Sequence, residues 1–234
     1  MNGRTHREKR NGTMKKLTII LCLLLGPLCS HAQIVEQGEH NPMWGIRAAF
    51  DVNIPGHVRI NNYNDKMFRT GTGGAIGAVC NIYLGRKFYL EPAVTLFYDT
   101  YSYNDLVITN EYGDEVEKNM AIYKAGFRIP VVAGYSFSIS DRLSIAPFTG
   151  PEFSYAFAGD IRIHNKELLD LEGNLLFGEL GCQRRAECGW KIGVAFFSDM
   201  WSFNIDATIG MTNLMTNGTA FRENRGSINI TRYF

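Results

Sequence analysis

From Trp201 to Thr212 the chain alternates without a break. Trp201, Phe203, Ile205, Ala207, Ile209 and Met211 stand against Ser202, Asn204, Asp206, Thr208, Gly210 and Thr212. Successive side chains of a strand point to opposite faces, so a period of two predicts a strand and sorts its residues between two environments. One face is apolar, opens on Trp, and is long enough to cross a bilayer when tilted. The other face carries an Asp in its middle. A soluble sandwich strand alternates as well, so the decision rests on whether the pattern recurs and how the segments are joined.

It recurs along the chain. Alternation predicts strands over 44–53, 74–84, 88–101, 120–137, 142–158, 186–197, 201–212 and 226–234. Short turns follow the second, fourth and sixth strands. Long loops, 54–72, 102–118, 159–184 and 213–225, follow the others. A soluble barrel has no reason to gather every short turn at one end, whereas outer-membrane barrels have tight periplasmic turns and longer external loops. The fold class expected is all-β: a closed eight-stranded antiparallel up-and-down transmembrane β-barrel with short periplasmic turns and long external loops. Aromatic residues make up 12% of the chain. Trp44, Phe88, Phe137, Phe196, Trp201 and Phe234 fall at the short-turn end, and Tyr98, Tyr123, Tyr155 and Phe157 near the other. Two aromatic girdles are expected at the two interfaces of a membrane barrel. Pro130, Pro147 and Pro151 cannot donate to a ladder, and bulges are predicted there.

The face opposite the apolar one holds Arg47, Asp51, Glu91, Asp99, Lys124, Arg128, Glu152, Glu187, Lys191 and Asp206. That set would be a ruinous core for a soluble barrel and suits the lumen of a membrane one. Eight strands leave only enough width for side chains to fill the interior. Opposite charges are therefore expected to pair across it, because an unpaired buried ion costs several kcal/mol. The predicted role is structural, an ion-paired plug, with a proton or ion path as the lesser alternative.

The N-terminus has a different grammar. Lys15 and Lys16 precede the apolar run Leu17–Leu28, which ends in Ser30-His31-Ala32. This is the pattern of a secretory signal peptide over 1–32, with 1–13 as an overextended start ahead of Met14. A periplasmic segment, 33–43, would lead into a barrel over 44–234. Cys29 as a lipidation site fits poorly after Leu28, and the run is too short for a membrane helix. Cleavage leaves 18 basic and 22 acidic residues, which argues against polyanion binding, and no nucleic-acid partner is expected.

Phe234, with Ile230 and Ile228 at alternating positions, looks like the C-terminal signal that outer-membrane assembly machinery reads; Arg232 departs from it. Phe127-Arg128-Ile129-Pro130-Val131-Val132 and Trp190-Lys191-Ile192-Gly193-Val194 resemble the PorT-like outer-membrane β-barrel family. The resemblance implies an eight-stranded barrel in the outer membrane of a Gram-negative bacterium and supplies no catalytic residues. The partners expected are outer-membrane lipid and, through Phe234, the barrel-assembly machinery.

The remaining motifs are weak. Gly71-Thr72-Gly73-Gly74 has no following Lys or helix, both of which a phosphate cradle needs; a flexible loop is predicted. The acidic loop 110–117 matches no Ca²⁺ spacing. His57 and His164 lack ligand spacing. No cofactor or metal is expected. A Cys182–Cys188 disulfide is allowed by a secreted context, although Cys80 leaves an odd count. The function expected is non-enzymatic, in envelope structure or binding through the external loops. An outer-leaflet lipid-modifying enzyme and a soluble lipocalin-like periplasmic barrel are the alternatives.

Overall fold

The computed structural model describes residues 42–60, 63–66, 68–85, 87–103, 106–109, 115–118, 120–140, 142–163, 176–177, 183–216 and 219–234. The expected signal segment, His164 and Cys182 lie outside them. Eight long strands form the wall: β1 (Met43–Pro55), β2 (Gly71–Tyr83), β3 (Phe88–Tyr103), β4 (Met120–Tyr135), β5 (Leu143–Ile163), β6 (Ala186–Ser198), β7 (Trp201–Gly210) and β8 (Glu223–Tyr233). Each pairs antiparallel with its sequence neighbours. β1 also pairs β8, from Gly45↔Tyr233 to Pro55↔Glu223, so the ring closes and no wall edge is left open.

The register sets the barrel's shape. From Met43 the perpendicular path runs through Asn81, Glu91, Val132, Gly150, Lys191, Thr208 and Arg225, and meets β1 again at Asn53. That stagger of ten residues tilts the strands, by roughly 35–45° in barrels of this kind. The tilt lets strands of ten or more residues span a hydrocarbon layer.

Side chains alternate as the sequence predicts, with the polarity of a soluble barrel reversed. β7 alternates exposed and buried along its whole length: Trp201, Phe203, Ile205 and Ile209 are exposed, while Ser202, Asn204, Asp206 and Thr208 are buried. Exposed apolar residues surround the wall, including Ile76, Val94, Leu96, Ile192, Ile228 and Ile230. Trp44, Phe88, Phe137, Trp201 and Phe234 ring the turn end, and Tyr98 and Phe157 the loop end. Arg232, the departure from the C-terminal pattern, lies 5.0 Å from the Trp201 ring and 6.0 Å from the Phe234 ring. Stacking on indole lets its charge sit in the aromatic belt.

Two sequence expectations fail at the prolines and glycines. Register shifts occur at Ser138/Ser140 and Ala156/Ala158, not at Pro130, Pro147 or Pro151. Pairing instead lapses for two residues and resumes in the same register. The lapses fall at Cys80–Asn81 against Glu91–Pro92, at Ala93–Val94 against Ile129–Pro130, and at Val131–Val132 against Gly150–Pro151. A missing N–H removes a ladder bond without adding a residue, so the strand keeps its phase. By register, the three lapses lie on adjoining strand pairs of the β2–β5 wall, the first and third level and the second two residues nearer the loop end. Gly71–Gly74, predicted as loop, opens β2. A Cβ on Gly77 would run into the β3 backbone at Val94 and Thr95, so the small residues of β2 permit a close approach.

The loops also hold more structure than predicted. β3 reaches Tyr103, β5 reaches Ile163, and β8 starts at Glu223, each inside a span assigned to loop. Val58–Ile60 pairs Tyr63–Asp65, and Leu106–Thr109 pairs Glu115–Lys118, as small hairpins beyond the wall.

Candidate functional site

The lumen is filled at three levels. At the turn end lies an aromatic floor. Tyr89 packs with Val132, Ala146, Phe148 and Ala195, and its ring stands edge-on to Phe197 at 5.6 Å. Tyr233 joins Val79 and Ala93 beside it. Inward glycines make room: the Tyr89 ring covers Gly134, and Phe148 covers Gly193, so closely that a Cβ at either position would collide with it.

Above the floor sits a charged layer. Arg47 donates to Glu91 Oε1 at 2.5 Å and to Thr231 Oγ1 at 2.9 Å, while Tyr233 Oη donates to the other Glu91 oxygen at 2.6 Å. With its amide oriented to suit its neighbours, Asn204 accepts from Arg47 at 3.2 Å. Arg128 bridges Asp51, at 2.6 Å, and Asp99, and lies 4.0 Å from the centre of the Phe97 ring. Ser227 donates to Asp51 at 2.6 Å. Lys191 reaches Asp206 at 2.7 Å and Glu152 at 3.3 Å. Asn229 donates to the second Asp206 oxygen at 2.6 Å. Arg225 pairs with Glu152, and Lys124 with Glu223. Bonds to charged groups are the stronger kind, and here they supply what water would otherwise supply.

Nine of the ten charges named from the sequence are buried here. Glu187 is half-buried, with no side-chain hydrogen bond or ion pair among the described residues. Sequence reasoning missed Glu223 and Arg225, because it began the last strand at residue 226. The signal was present: Glu223, Arg225, Ser227, Asn229, Thr231 and Tyr233 form one unbroken set at period two, and all are buried. It was masked by Asn224 and Gly226, which interrupt the apolar face opposite.

At the loop end lies an apolar cap. Val58, Phe68, Tyr101, Ile122, Leu176, Leu214 and Phe221 form one buried cluster drawn from strand ends and several loops. Phe68 meets Phe221 at 4.9 Å and Tyr101 at 5.4 Å. Tyr101 and Gln183 hydrogen-bond across its underside, with Gln183 Nε2 2.9 Å from the phenol oxygen. Between cap and floor, two cavities each offer about 20 Å³ to the centre of a water molecule. One water requires roughly 10–15 Å³.

This geometry determines the solvent. A wall that exposes a continuous apolar band and buries its ions is stable only with hydrocarbon outside, and its closed ring leaves no strand edge for lipid to orphan. The chain has the fold of an integral outer-membrane β-barrel.

Solved structures of that kind are similar to it. Neisserial surface protein A is 14% identical, with a TM-score of 0.44, and the match covers 82% of this chain and 97% of that one. OprG from Pseudomonas aeruginosa is 9% identical, with a TM-score of 0.47, covering 86% and 99%. Ail of Yersinia pestis is 10% identical, with a TM-score of 0.39, covering 82% and 99%. No protein-family model matches the chain. No curated protein matches it.

Among the described residues, no group of His, Cys, Asp and Glu is arranged to hold a metal. His57 is exposed at the loop end. Cys80 is buried and unbridged; the Cys182–Cys188 pairing falls on Cys182, outside the described residues.

Proposed function

We propose that this chain is a non-conducting, non-enzymatic outer-membrane barrel that works through its loop end, which faces the cell exterior. The observation that carries the reading is the lumen filled in three successive layers, floor, ion pairs and cap. A barrel built to pass a solute does not spend Arg128, Lys191 and Arg225 on pairing with each other's neighbouring carboxylates across its lumen. Planar-bilayer recording on the refolded chain tests this. Silence, or only rare brief events, is the expected result; steady large single-channel currents would overturn it.

The orientation rests on the contrast between tight turns and long, partly structured loops. Antibody should reach epitope tags in 102–118 or 213–225 on whole cells; tags reached only after the outer membrane is broken would reverse it. Placement among the PorT-like barrels rests on the two stretches 127–132 and 190–194. Each contributes one central lumen cation, Arg128 or Lys191. A role in secretion is not part of the proposal. Phe234 is the proposed contact for barrel-assembly machinery: it is exposed at the turn end, and its backbone N–H is held by Trp44 at 2.9 Å. Deleting Phe234 should lower the folded, membrane-inserted fraction without altering a barrel refolded in detergent.

A further inference from the structure

At the loop end three arginines from three separate segments are exposed: Arg59, Arg184 and Arg222. The backbone holds their segments together. Gly56 N–H bonds Arg222 C=O at 2.9 Å, and Arg59 and Ala220 exchange both of their backbone bonds at 3.0 Å. Arg184 N–H bonds Leu214 C=O at 2.7 Å, and Leu214 N–H bonds Phe221 C=O at 2.8 Å. The three positions thus lie across adjoining extensions of β1, β8, β7 and β6, over the buried side chains of the cap. Arg59 and Arg222 are diagonal neighbours on the outer face of one ladder, the spacing at which long side chains act together.

The guanidinium groups differ from those of the lumen and from Arg185 and Arg232. Lumen arginines are consumed by carboxylates, Arg232 by indole, and Arg185 by the carbonyls of Ala156 and Phe157. Arg59, Arg184 and Arg222 make no side-chain hydrogen bond or ion pair among the described residues. Their height is also telling. Ile54, exposed, pairs Asn224; Arg222 lies two residues nearer the loop end on the same outward face. Phe157, Tyr98 and Met211 mark the same upper rim of the apolar band. The cluster therefore stands where hydrocarbon gives way to headgroups.

We infer that Arg59, Arg184 and Arg222 form a docking surface for the phosphate-bearing sugar headgroup of an outer-leaflet glycolipid. Arginine suits the task, since its planar fork binds phosphate oxygens bidentately and is weakly hydrated compared with an ammonium. Its aliphatic stem lies along the apolar rim while the charge reaches the headgroup plane. The ligand's acyl chains would lie against the band below, so phosphate and chains are held by one continuous face.

The inference rests on the loop end facing outward, but its test is independent of that orientation and of conductance. Native mass spectrometry of the folded full-length barrel in neutral detergent would compare three probes: bis-phosphorylated lipid A, dephosphorylated lipid A and phosphatidylglycerol. The wild type should retain the phosphorylated form at least tenfold better than the other two. Arg59→Gln/Arg184→Gln/Arg222→Gln should erase that preference while keeping the heat-shifted gel mobility of a folded barrel. Equal retention of both lipid A forms, equal retention of phosphatidylglycerol, or an unchanged preference in the variant would each overturn it. If the triple variant fails to fold, the three single variants serve, each expected to cut the preference at least twofold. A barrel that conducts yet keeps the preference would refute the sealed lumen and leave this surface standing.

Discussion

Arg128→Met is the sharpest probe of the charged layer. Arg128 holds two carboxylates, but they depend on it unequally. Asp51 keeps a Ser227 hydrogen bond at 2.6 Å and lies 3.9 Å from Arg225. Among the described residues Asp99 has Arg128 as its only side-chain hydrogen-bond partner, and its other oxygen is buried without one. Removing one member of a buried pair costs about 3–5 kcal/mol, chiefly because the partner's charge stays behind. Methionine also gives up the stacking on Phe97, about 0.5–2 kcal/mol. The single variant should therefore lose roughly 3–5 kcal/mol in urea unfolding from lipid vesicles, a large part of a typical 5–15 kcal/mol. Adding Asp99→Asn should recover more than half of the loss by removing the stranded charge. Adding Asp51→Asn should recover little. A loss below about 1 kcal/mol, or equal rescue by the two second-site changes, would mean the lumen is wet enough to solvate its ions, and the plug argument would fall.

Three further outcomes are expected. Ile205→Arg, on the lipid face of β7, should cost about 2–4 kcal/mol or block assembly; Asn204→Lys, on the lumen face, should also be costly because Arg47 faces that amide, whereas Asn204→Asp should cost less than half as much by the same unfolding assay. Gly134→Val should destabilise by about 1–3 kcal/mol, since its side chain meets the Tyr89 ring, and Tyr89→Leu in the same chain should restore part of that. Phe221→Ala should cost about 3–5 kcal/mol by emptying the middle of the cap, yet bilayer recordings should stay silent because the charged layer and the floor lie beneath.

Alternation carried most of the architecture, because the wall has one residue per side per step and lipid enforces the difference at every second position. Where the lipid side is poor, as at Asn224 and Gly226, the strand was cut short and Glu223 and Arg225 were lost from the network. The prolines misled for a different reason: a bulge and a skipped hydrogen bond leave the same mark in sequence, and only register distinguishes them. The cap was not legible at all. Phe68, Leu176, Leu214 and Phe221 have no common period, and what unites them is the closeness of four loop segments once the ring has formed. The arginines above it were hidden likewise, since 59, 184 and 222 become neighbours only through bonds between those segments.

The β1–β8 seam joins the first strand of the wall to the last, Gly45 to Tyr233. Every other seam of the wall can form as soon as a hairpin's worth of chain is present. This one must wait for the last strand to be delivered, and until then β1 presents a row of unpaired donors and acceptors along a strand of thirteen residues. Such an edge invites pairing with another chain, and contacts this distant in sequence are slow to form. The nascent barrel therefore passes through a stage in which it is an open, adhesive sheet, and something must shield β1 from neighbours until β8 arrives. A chain truncated before Glu223 would be trapped at that stage, with two bare edges and no means of joining them.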